Sequence, residues 1–337
     1  MSLPQTYKQA VFKSAGAPLT IEEVSLQHPG ANEVLVKVEA CGVCFSDVFA
    51  QNNVMGGGFP IVPGHEIIGR VAAVGANVST WKVGDRIGSG WHGGHDGTCR
   101  SCKKGYHQMC DNQVINGETK QGGLSMWPPA LTSTDAEYVL LRSEAGVLIP
   151  ETVSAAKYAP VLCAGMTVFN SIRHMNVGVG ETVAIQGLGG LGHLAIQYAN
   201  MFGYRVVAIS RGADKEGFSR ELGAHEYIDT SKEDAGEGLK RLGGASLVVT
   251  TSPKADTMAG LMHGLGPLGK LLILSVPGDL SVNTGVMVSF PFFLAADQVT
   301  DFPSGYSAEI WAVCAGVAMW PCYRLGGGYC FHAAAEH

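Results

Sequence analysis

The stretch ETVAIQGLGGLGHLAIQYANMFG, residues 181–203, decides the fold of the second half of the chain. Its first six residues form a short apolar run that predicts a buried strand, and the residues after the glycines predict a helix. The G-x-G-x-x-G pattern between them is, in this strand–turn–helix context, typical of a loop that binds the pyrophosphate of a dinucleotide. The residues of this candidate cofactor loop are Gly187, Gly189, Gly190, Leu191 and Gly192. A glycine-rich turn without a ligand is the alternative.

The segments around this stretch alternate between predicted strands and helices. Apolar runs at 204–210, 245–252 and 270–276 predict strands, and residues 217–224 predict a helix that ends at a glycine. Alternation at this spacing is typical of a parallel, doubly wound sheet. We therefore predict an α/β dinucleotide-binding domain over residues 151–289.

The end of the second predicted strand bears on the choice of cofactor. An NAD site has an Asp or Glu about 20 residues after the glycine pattern, where it binds the ribose 2′-hydroxyl. This chain instead has Ser210 and Arg211 there, followed by Lys215. Because Arg and a hydroxyl can bind a 2′-phosphate that a carboxylate would repel, the sequence favours NADP(H) over NAD(H). The alternative is that Arg211 stacks on the adenine while NAD binds.

The first half of the chain, residues 1–150, has a different pattern. Residues 32–44 and 67–78 alternate between apolar and polar side chains as strands do, with Gly75 at a turn. Helical periodicity is weak in this half. We predict an antiparallel, barrel-like β domain with long loops.

Composition excludes several classes of function. The net charge is −6 and there is no basic block, so nucleic acid is not an expected partner. The N-terminus has no signal-peptide pattern and no apolar run reaches the length of a membrane span, which predicts a cytosolic protein without a membrane segment. Nine cysteines in that setting indicate metal binding or free thiols rather than a disulfide framework.

Two groups of metal-ligand residues stand out, one within the first half and one that also includes a cysteine at the start of the second. Cys44, His65 and Cys163 would form a Cys₂His set, which is one of the ligand sets of catalytic zinc, although their separation in sequence proves nothing by itself. The stretch HDGTCRSCKKGYHQMC, residues 95–110, contains three more cysteines, whereas a closed structural zinc site has four protein ligands. The sequence pattern alone leaves the fourth ligand open.

The order of these motifs resembles the zinc-dependent medium-chain alcohol dehydrogenases, in their cinnamyl-alcohol-dehydrogenase-like fungal branch. Within that family it resembles enzymes of fungal polyketide clusters, patulin formation among them. The resemblance implies a GroES-like, β-rich catalytic domain joined to a Rossmann domain with a doubly wound parallel sheet. The motifs that carry it are CGVCFSD (41–47), GHEIIGRVAAVG (64–75), VGDRIG (83–88), LCAGMTV (162–168) and GLGGLGHLAIQYA (187–199).

The resemblance also implies roles for individual residues near the catalytic zinc. Cys44, His65 and Cys163 would hold the ion, and Glu66 would occupy the open position when substrate is absent. Asp47 would orient His65 by accepting its other ring N–H. The residue that would pass the substrate proton is Ser46.

Two aromatic residues depart from the family pattern. Phe49 stands where the family often has a His that closes the proton relay, so the proton would travel through water or the cofactor ribose. Phe45 stands where a polar residue often contacts the pyrophosphate. With Trp91, these side chains would form an apolar wall for a conjugated or ring-bearing substrate, or else pack in the core.

For the cysteine-rich loop, the resemblance implies the ligand spacing C-x₂-C-x₂-C-x₇-C. Cys99, Cys102 and Cys110 fit three of these positions, and the remaining position is Asp96. A carboxylate oxygen binds zinc, so Asp96 is the expected fourth ligand and two zinc ions per chain are expected. A histidine substitute, from His92, His95 or His107, and an empty site are the alternatives.

The activity that the resemblance implies is hydride transfer between NADP(H) and a small or conjugated alcohol or aldehyde, by a homodimer. The alternatives are a zinc-free reductase of the same superfamily and a nucleotide-binding protein without catalysis. Two stretches depart from the family pattern, namely residues 124–135 and an atypical tail at 290–337 that replaces the usual end of the catalytic domain. We interpret both as a gene model that reads through introns; a transcript encoding them as written would contradict this interpretation, and real divergence is the alternative.

Overall fold

The computed structural model describes residues 3–117, 135–276, 279–281 and 293–296. The described residues fall into two compact units, the first ending at Cys163 and the second beginning at Ala164. The predicted domain boundary at residue 150 thus lies 13 residues before the point where the two units separate (163 − 150). Residues 124–134 and most of the 290–337 tail lie outside the described residues.

The first unit consists of short strands, as predicted for residues 1–150. Its helices are α1 (Asp47–Asn52) and α2 (Ala155–Tyr158), and 3₁₀ turns cover Cys102–Lys104, His107–Met109, Ser143–Ala145 and Ala159–Leu162. Its strands are β1 (Thr6–Val11), β2 (Thr20–Ser25), β3 (Glu33–Cys41), β4 (Ile67–Val74), β5 (Arg86–Ser89), β6 (His92–Gly94), β7 (Val114–Ile115), β8 (Tyr138–Arg142) and β9 (Val147–Leu148).

The main sheet of the first unit is antiparallel, with strand order β8-β3-β4-β5-β9. Alternating apolar residues of these strands, most of them β-branched, point into one core, which includes Val34, Val36, Ile67, Ile87 and Leu141. Such side chains fit a pleated, half-buried surface, so the alternation seen in the sequence does form strands. Smaller antiparallel pairs, β1-β2 and β6-β7, complete the described sheets of this unit.

The second unit alternates strands with helices. Its helices are α3 (Ala164–Arg173), α4 (Gly190–Met201), α5 (Glu216–Glu221), α6 (Ala235–Arg241) and α7 (Asp256–Ala259), followed by a 3₁₀ turn at Gly260–Gly264. Its strands are β10 (Thr182–Gln186), β11 (Arg205–Ser210), β12 (Glu226–Asp229), β13 (Ala245–Thr250), β14 (Leu265–Ile273) and β15 (Phe293–Ala296).

These strands form one parallel sheet in the order β12-β11-β10-β13-β14-β15, which confirms the predicted doubly wound topology. Its centre is apolar on both faces, and Val183, Val206 and Val248 have no exposed surface. The order reverses between β10 and β13, and in such sheets ligands bind at this switch point. The sixth strand, β15, lies beyond residue 289, so the sheet continues into the tail, which the sequence analysis did not assign to this domain.

Candidate active site and metal centres

The first metal-ligand group lies where three separate segments of the first unit meet. Cys44 lies between β3 and α1, His65 and Glu66 directly precede β4, and Cys163 follows the 3₁₀ turn at Ala159–Leu162. One ligand atom from each residue lies within 4.8 Å of all the others, and the two sulfurs are 3.8 Å apart. The fold therefore brings together the set that sequence separation could not establish.

This group has the donor atoms and the burial that a metal ion requires. His65 is 1% exposed and Glu66 is 2% exposed. Both ring nitrogens of His65 and Oε2 of Glu66 are buried and make no hydrogen bond. A buried polar atom without a partner costs about 1–3 kcal/mol, so such atoms need a ligand. Two thiols, an imidazole and a carboxylate are donors that suit zinc.

The electrostatics of the site favour positive charge at its centre. The hydrogen bond from Cys163, together with His65, holds the pKa of the Cys44 thiol well below its usual range. That same hydrogen bond, and burial, raise the pKa of Cys163, so the pair loses one proton readily and retains the other. Burial lowers the pKa of His65, but the negative charge of nearby Asp47 and Cys44 outweighs burial and raises the pKa to about 10. Burial raises the pKa of Glu66 to about 8.

Asp47, on the first turn of α1, contacts the backbone on both sides of the site. Its Oδ2 accepts a hydrogen bond from the N–H of Cys44 (2.9 Å), and its Oδ1 accepts one from the N–H of Gly64 (3.2 Å). Oδ1 also lies 3.5 Å from Nδ1 of His65, longer than a good hydrogen bond. The carboxylate thus lies where it can orient two of the metal-ligand residues.

Ser46 and the three aromatic residues lie around the same group. Ser46 begins α1, yet its hydroxyl makes no capping bond. Phe45 is 72% exposed and meets Phe49 edge to face, with ring centroids 6.3 Å apart. The ring of Trp91 meets His65 edge to face at 4.9 Å. The exposure of Phe45 is unlike that of a core residue and fits an apolar wall open to a ligand.

Two glycines and one amide shape this site, and the sequence pattern did not single them out. A Cβ on Gly42 would lie 1.9 Å from Oε2 of Glu66, and one on Gly90 would lie 2.3 Å from the carbonyl oxygen of Leu162. Neither glycine has a positive φ, so what each position requires is space rather than an unusual backbone conformation. Asn116, which has no exposed surface, donates from Nδ2 to Oγ of Ser89 and to the carbonyl of Gly90.

The second metal-ligand group comprises Asp96, Cys99, Cys102 and Cys110, and one ligand atom of each again lies within 4.8 Å of the others. Backbone N–H groups point at the sulfurs, from Cys102 to Cys99 at 3.4 Å and from Asp96 to Cys110 at 3.4 Å. Such donors stabilise thiolates, the form in which cysteine binds metal.

Asp96 is held by its own hydrogen bonds within this second group. Oδ1 accepts from the N–H groups of Thr98 (2.7 Å) and Cys99 (3.0 Å), and Oδ2 accepts from Nδ2 of Asn112 (2.7 Å). These bonds, that from Cys99 foremost, hold the pKa of Asp96 well below its usual range. Because an ionised carboxylate has about four acceptor positions, further ones remain for an ion. The geometry thus fits a zinc ion with a carboxylate as its fourth ligand.

The three histidines near this loop associate with one another. Nε2 of His92 lies 3.0 Å from Nδ1 of His95, and the rings of His95 and His107 stack with centroids 4.0 Å apart. Within the described ranges, none of them joins the group of Asp96 and the three cysteines. The geometry therefore favours Asp96 over a histidine as the fourth ligand.

The candidate cofactor loop has the shape that close approach to a phosphate requires. Gly187 has φ +90°, and a Cβ on Gly192 would lie 1.7 Å from the carbonyl oxygen of Gly187. Gly189 and Gly190, at the start of α4, have open space where their Cβ atoms would lie. Exposed backbone N–H groups at a helix N-terminus bind anions, so the loop fits the pyrophosphate of a dinucleotide.

Other predicted residues lie where the sequence suggested. Ser210 ends β11 and is half-buried, Arg211 is exposed in the loop that follows, and Lys215 precedes α5. His193 is a residue of α4, and its backbone N–H donates to the carbonyl of Gly189 (3.1 Å). In the described parts of the chain, no helix combines the length and apolar character that crossing a bilayer requires.

Comparisons with known proteins agree with this architecture. Residues 30–151 match the model of the alcohol dehydrogenase GroES-like domain, and residues 190–310 match that of the zinc-binding dehydrogenases. Alcohol dehydrogenase patD of Aspergillus clavatus is 65% identical over 288 residues, which are 86% of this chain and 71% of the relative.

Two solved structures are similar throughout. A cinnamyl alcohol dehydrogenase of Sorghum bicolor is 25% identical with a TM-score of 0.78, and covers 92% of this chain and 86% of its own. A zinc-binding dehydrogenase of Sinorhizobium meliloti, solved with NADP bound, is 25% identical with a TM-score of 0.80. The match covers 93% of this chain and 90% of the Sinorhizobium chain. These matches confirm the resemblance seen in the motifs. With its GroES-like and zinc-binding dehydrogenase parts, the chain belongs to the zinc-binding alcohol dehydrogenase family and is an oxidoreductase.

Proposed function

We propose that this alcohol dehydrogenase is a zinc-dependent, NADP(H)-linked enzyme that acts mainly as an aldehyde reductase in fungal secondary metabolism. The observation that carries the proposal is the buried group of Cys44, His65, Glu66 and Cys163, whose ligand atoms converge within 4.8 Å. Its place in polyketide metabolism rests on the motif resemblance and on the 65% identity with a fungal alcohol dehydrogenase. A homodimer and a cytosolic location remain predictions.

The chemistry requires one hydride and one proton to be added across a carbonyl group. Bound zinc would supply a Lewis acid for the carbonyl oxygen, and bound NADPH would supply the hydride for the carbon. Cys44, His65 and Cys163 would hold the metal, while Asp47 keeps Cys44 and His65 in place through its two oxygens.

The proton comes from the chain itself. The hydroxyl of Ser46 makes no capping bond to α1, so it can donate its proton to the substrate oxygen as the hydride reaches the carbon. Because Phe49 cannot pass a proton onward, Ser46 would recover its proton through water or the cofactor ribose. Trp91 presents apolar surface against His65, and Phe45, next to Cys44 in the chain, is exposed, which suits a conjugated or ring-bearing aldehyde.

Two observations support NADP(H) as the cofactor. Ser210 and Arg211 follow β11 at the position where an NAD site has a carboxylate. The similar dehydrogenase of Sinorhizobium meliloti was solved with NADP bound. Arg binds a phosphate with two parallel N–H bonds, which a 2′-hydroxyl cannot reproduce.

Metal analysis combined with an NADPH-oxidation screen over aldehydes, lactols and ketones tests the proposal. We expect about two zinc ions per chain, loss of aldehyde reduction on chelation, and its return with zinc. Full activity of the metal-free protein would reject zinc dependence. NADPH binding without turnover of any carbonyl compound in the panel would reject the proposed activity.

A further inference from the structure

The loop that follows β11 contains the residues assigned above to the 2′-phosphate of the cofactor. Ser210 is its first residue, Arg211 is exposed, and Gly212 has φ +86°. A glycine in this conformation has wide backbone freedom, so by itself it would let the loop rotate. A guanidinium group binds phosphate through two parallel bonds only if its plane is correctly oriented. The orientation of Arg211 therefore depends on what holds the backbone around it.

The neighbouring strand β12 and the residues after it hold this backbone on both sides of Arg211. The N–H of Thr230 donates to the carbonyl of Ser210 (2.9 Å). The N–H of Gly212 donates to Oδ1 of Asp229 (2.7 Å), and the hydroxyl of Tyr227 donates to the carbonyl of Gly212 (2.6 Å). The first two hydrogen bonds thus fix the peptide groups that flank Arg211, and the third fixes the peptide group that follows Gly212.

Asp229 is itself held firmly at the end of β12. Its Oδ1 also accepts from the N–H (2.9 Å) and the hydroxyl (2.6 Å) of Ser231, and the residue is 8% exposed. These bonds, that from the Ser231 hydroxyl foremost, lower the pKa of Asp229 to about 2. Nζ of Lys232 lies 3.6 Å from the other oxygen. The carboxylate is therefore ionised at neutral pH and acts as a fixed acceptor for Gly212.

We propose that Tyr227 and Asp229 are positioning residues for cofactor specificity, which hold the Ser210–Gly212 backbone so that Arg211 meets a ribose 2′-phosphate. The inference rests on the proposed use of NADP(H). Neither residue touches the reacting atoms; each acts through the backbone of Gly212. Because preorganisation reduces the cost of ordering a loop on binding, its loss weakens the phosphate contact more than the rest of the cofactor site.

Binding of 2′,5′-ADP and of 5′-ADP to the zinc-loaded protein, measured by calorimetry, tests the inference. These two probes differ in the 2′-phosphate. We expect Tyr227→Phe to weaken 2′,5′-ADP about three- to tenfold, the range for loss of one hydrogen bond, and to change 5′-ADP by less than about twofold. Asp229→Ala should act in the same direction and more strongly. Tyr204→Phe, which removes a phenol hydroxyl from a buried tyrosine just before β11, is the matched control and should change neither affinity.

The outcomes are distinguishable. If the ratio of the two affinities in Tyr227→Phe equals that of the wild type, whether both affinities are unchanged or both fall equally, the positioning role is wrong while the proposed cofactor stands. If the wild-type protein itself binds 5′-ADP as tightly as 2′,5′-ADP, the proposed NADP(H) preference fails and the inference fails with it. In Tyr227→Phe, a lower ratio of kcat/KM for NADPH to kcat/KM for NADH, with kcat unchanged, would support both the positioning role and the NADP(H) preference.

Discussion

At the scale of single residues, the space beside Gly42 determines where the Glu66 carboxylate can lie. Gly42 has a backbone conformation that any residue can adopt, so the sequence alone gives no reason for a glycine there. The reason is three-dimensional, since a Cβ at this position would overlap Oε2 of Glu66. Glu66 belongs to the proposed catalytic metal group, so this clash would be transmitted to the metal site.

We expect Gly42→Ala to displace Glu66 and to reduce kcat/KM for aldehyde reduction at least about fivefold, since overpacking costs about 1–3 kcal/mol. Pairing Gly42→Ala with Glu66→Asp, whose shorter side chain leaves room for the methyl group, should recover part of the loss relative to Glu66→Asp alone. Steady-state kinetics and zinc content measure both effects. Wild-type kinetics in Gly42→Ala would contradict the assigned clash.

Asp96 is a second residue whose role can be measured directly. We expect Asp96→Ala to reduce bound zinc from about two ions per chain toward one, because it removes one of four ligands from the second group. Asp96→Cys, which supplies a fourth thiolate, is the control and should retain both ions. Zinc content by atomic emission distinguishes the variants. An unchanged content in Asp96→Ala would assign the fourth position to another group.

The lowered pKa of Asp229 leads to a prediction about how the stability of the fold depends on pH. Its folded-state pKa, about 2, lies below the unfolded value of 3.8, so its ionisation stabilises the fold above the unfolded value. That contribution is lost as pH falls through the interval between the two values. We therefore expect Asp229→Asn to be less stable than wild type near pH 6, with the difference shrinking toward pH 2. Urea unfolding as a function of pH measures this difference, and a difference independent of pH would contradict the shift.

At the scale of secondary-structure elements, a charged network ties the main sheet of the first unit to the segment before α2. The guanidinium of Arg86, on β5, donates to Glu39 (2.9 Å) and to the carbonyls of Pro150 (2.7 Å) and Val153 (2.8 Å). Arg86 is 6% exposed, so little water can reach its partners to replace the hydrogen bonds of the guanidinium. The segment that it anchors leads through α2 toward Cys163.

We expect Arg86→Ala to lower the free energy of unfolding by about 2–4 kcal/mol, because it removes the hydrogen bonds from a buried guanidinium to Glu39 and to the carbonyls of Pro150 and Val153. Arg70→Ala is the matched control. Arg70 contacts Glu39 and Glu151 on the same network, but its side chain is 43% exposed and the loss should be under about 1 kcal/mol. Chemical denaturation measures both. Equal losses in the two variants would show that burial does not set the strength of this network.

The elements differ in how well the sequence predicts them. The strand β10 and the helix α4 follow from a local pattern, and the structure places them within one residue of 181–186 and at the end of the glycine loop. The strand β15 was not predicted, because Phe293–Ala296 is short and its membership of the sheet depends on pairing with β14, the preceding strand of the chain. The periodicity of apolar residues shows which face of an element is buried, but it does not show which strand the element pairs with in the folded chain.

The candidate site shows the same division. Cys44, His65 and Cys163 could be proposed from residue type and family resemblance, but their convergence is set by turns in three separate segments. Gly90 and Asn116 could not be proposed, because their roles come from contacts with Leu162 and Gly90 that no local pattern encodes. The sequence thus identified the chemistry, and the tertiary structure supplied the residues that shape it.

At the scale of the whole molecule, both metal-ligand groups lie in the first unit and the candidate cofactor loop lies in the second. Each unit has its own sheet and its own apolar core. A ligand site that depends only on the second unit should therefore survive changes in the first.

We expect removal of zinc by chelation to abolish aldehyde reduction while 2′,5′-ADP affinity stays within about twofold of the metal-loaded protein. Calorimetry before and after chelation, followed by zinc addition, measures both properties on one preparation. Loss of nucleotide affinity together with activity would show that the metal sites support the fold of the second unit.

The carboxylate in the second metal-ligand group also has a consequence for oxidation. A loop with four cysteines can close two disulfides once its metal is lost, whereas Cys99, Cys102 and Cys110 can close one and leave a single thiol. That remaining thiol is open to exchange with glutathione or to stepwise oxidation by peroxide. Replacing one thiolate by Asp96 thus changes what the loop becomes under oxidative stress, from a fully cross-linked segment to one that keeps a reactive sulfur.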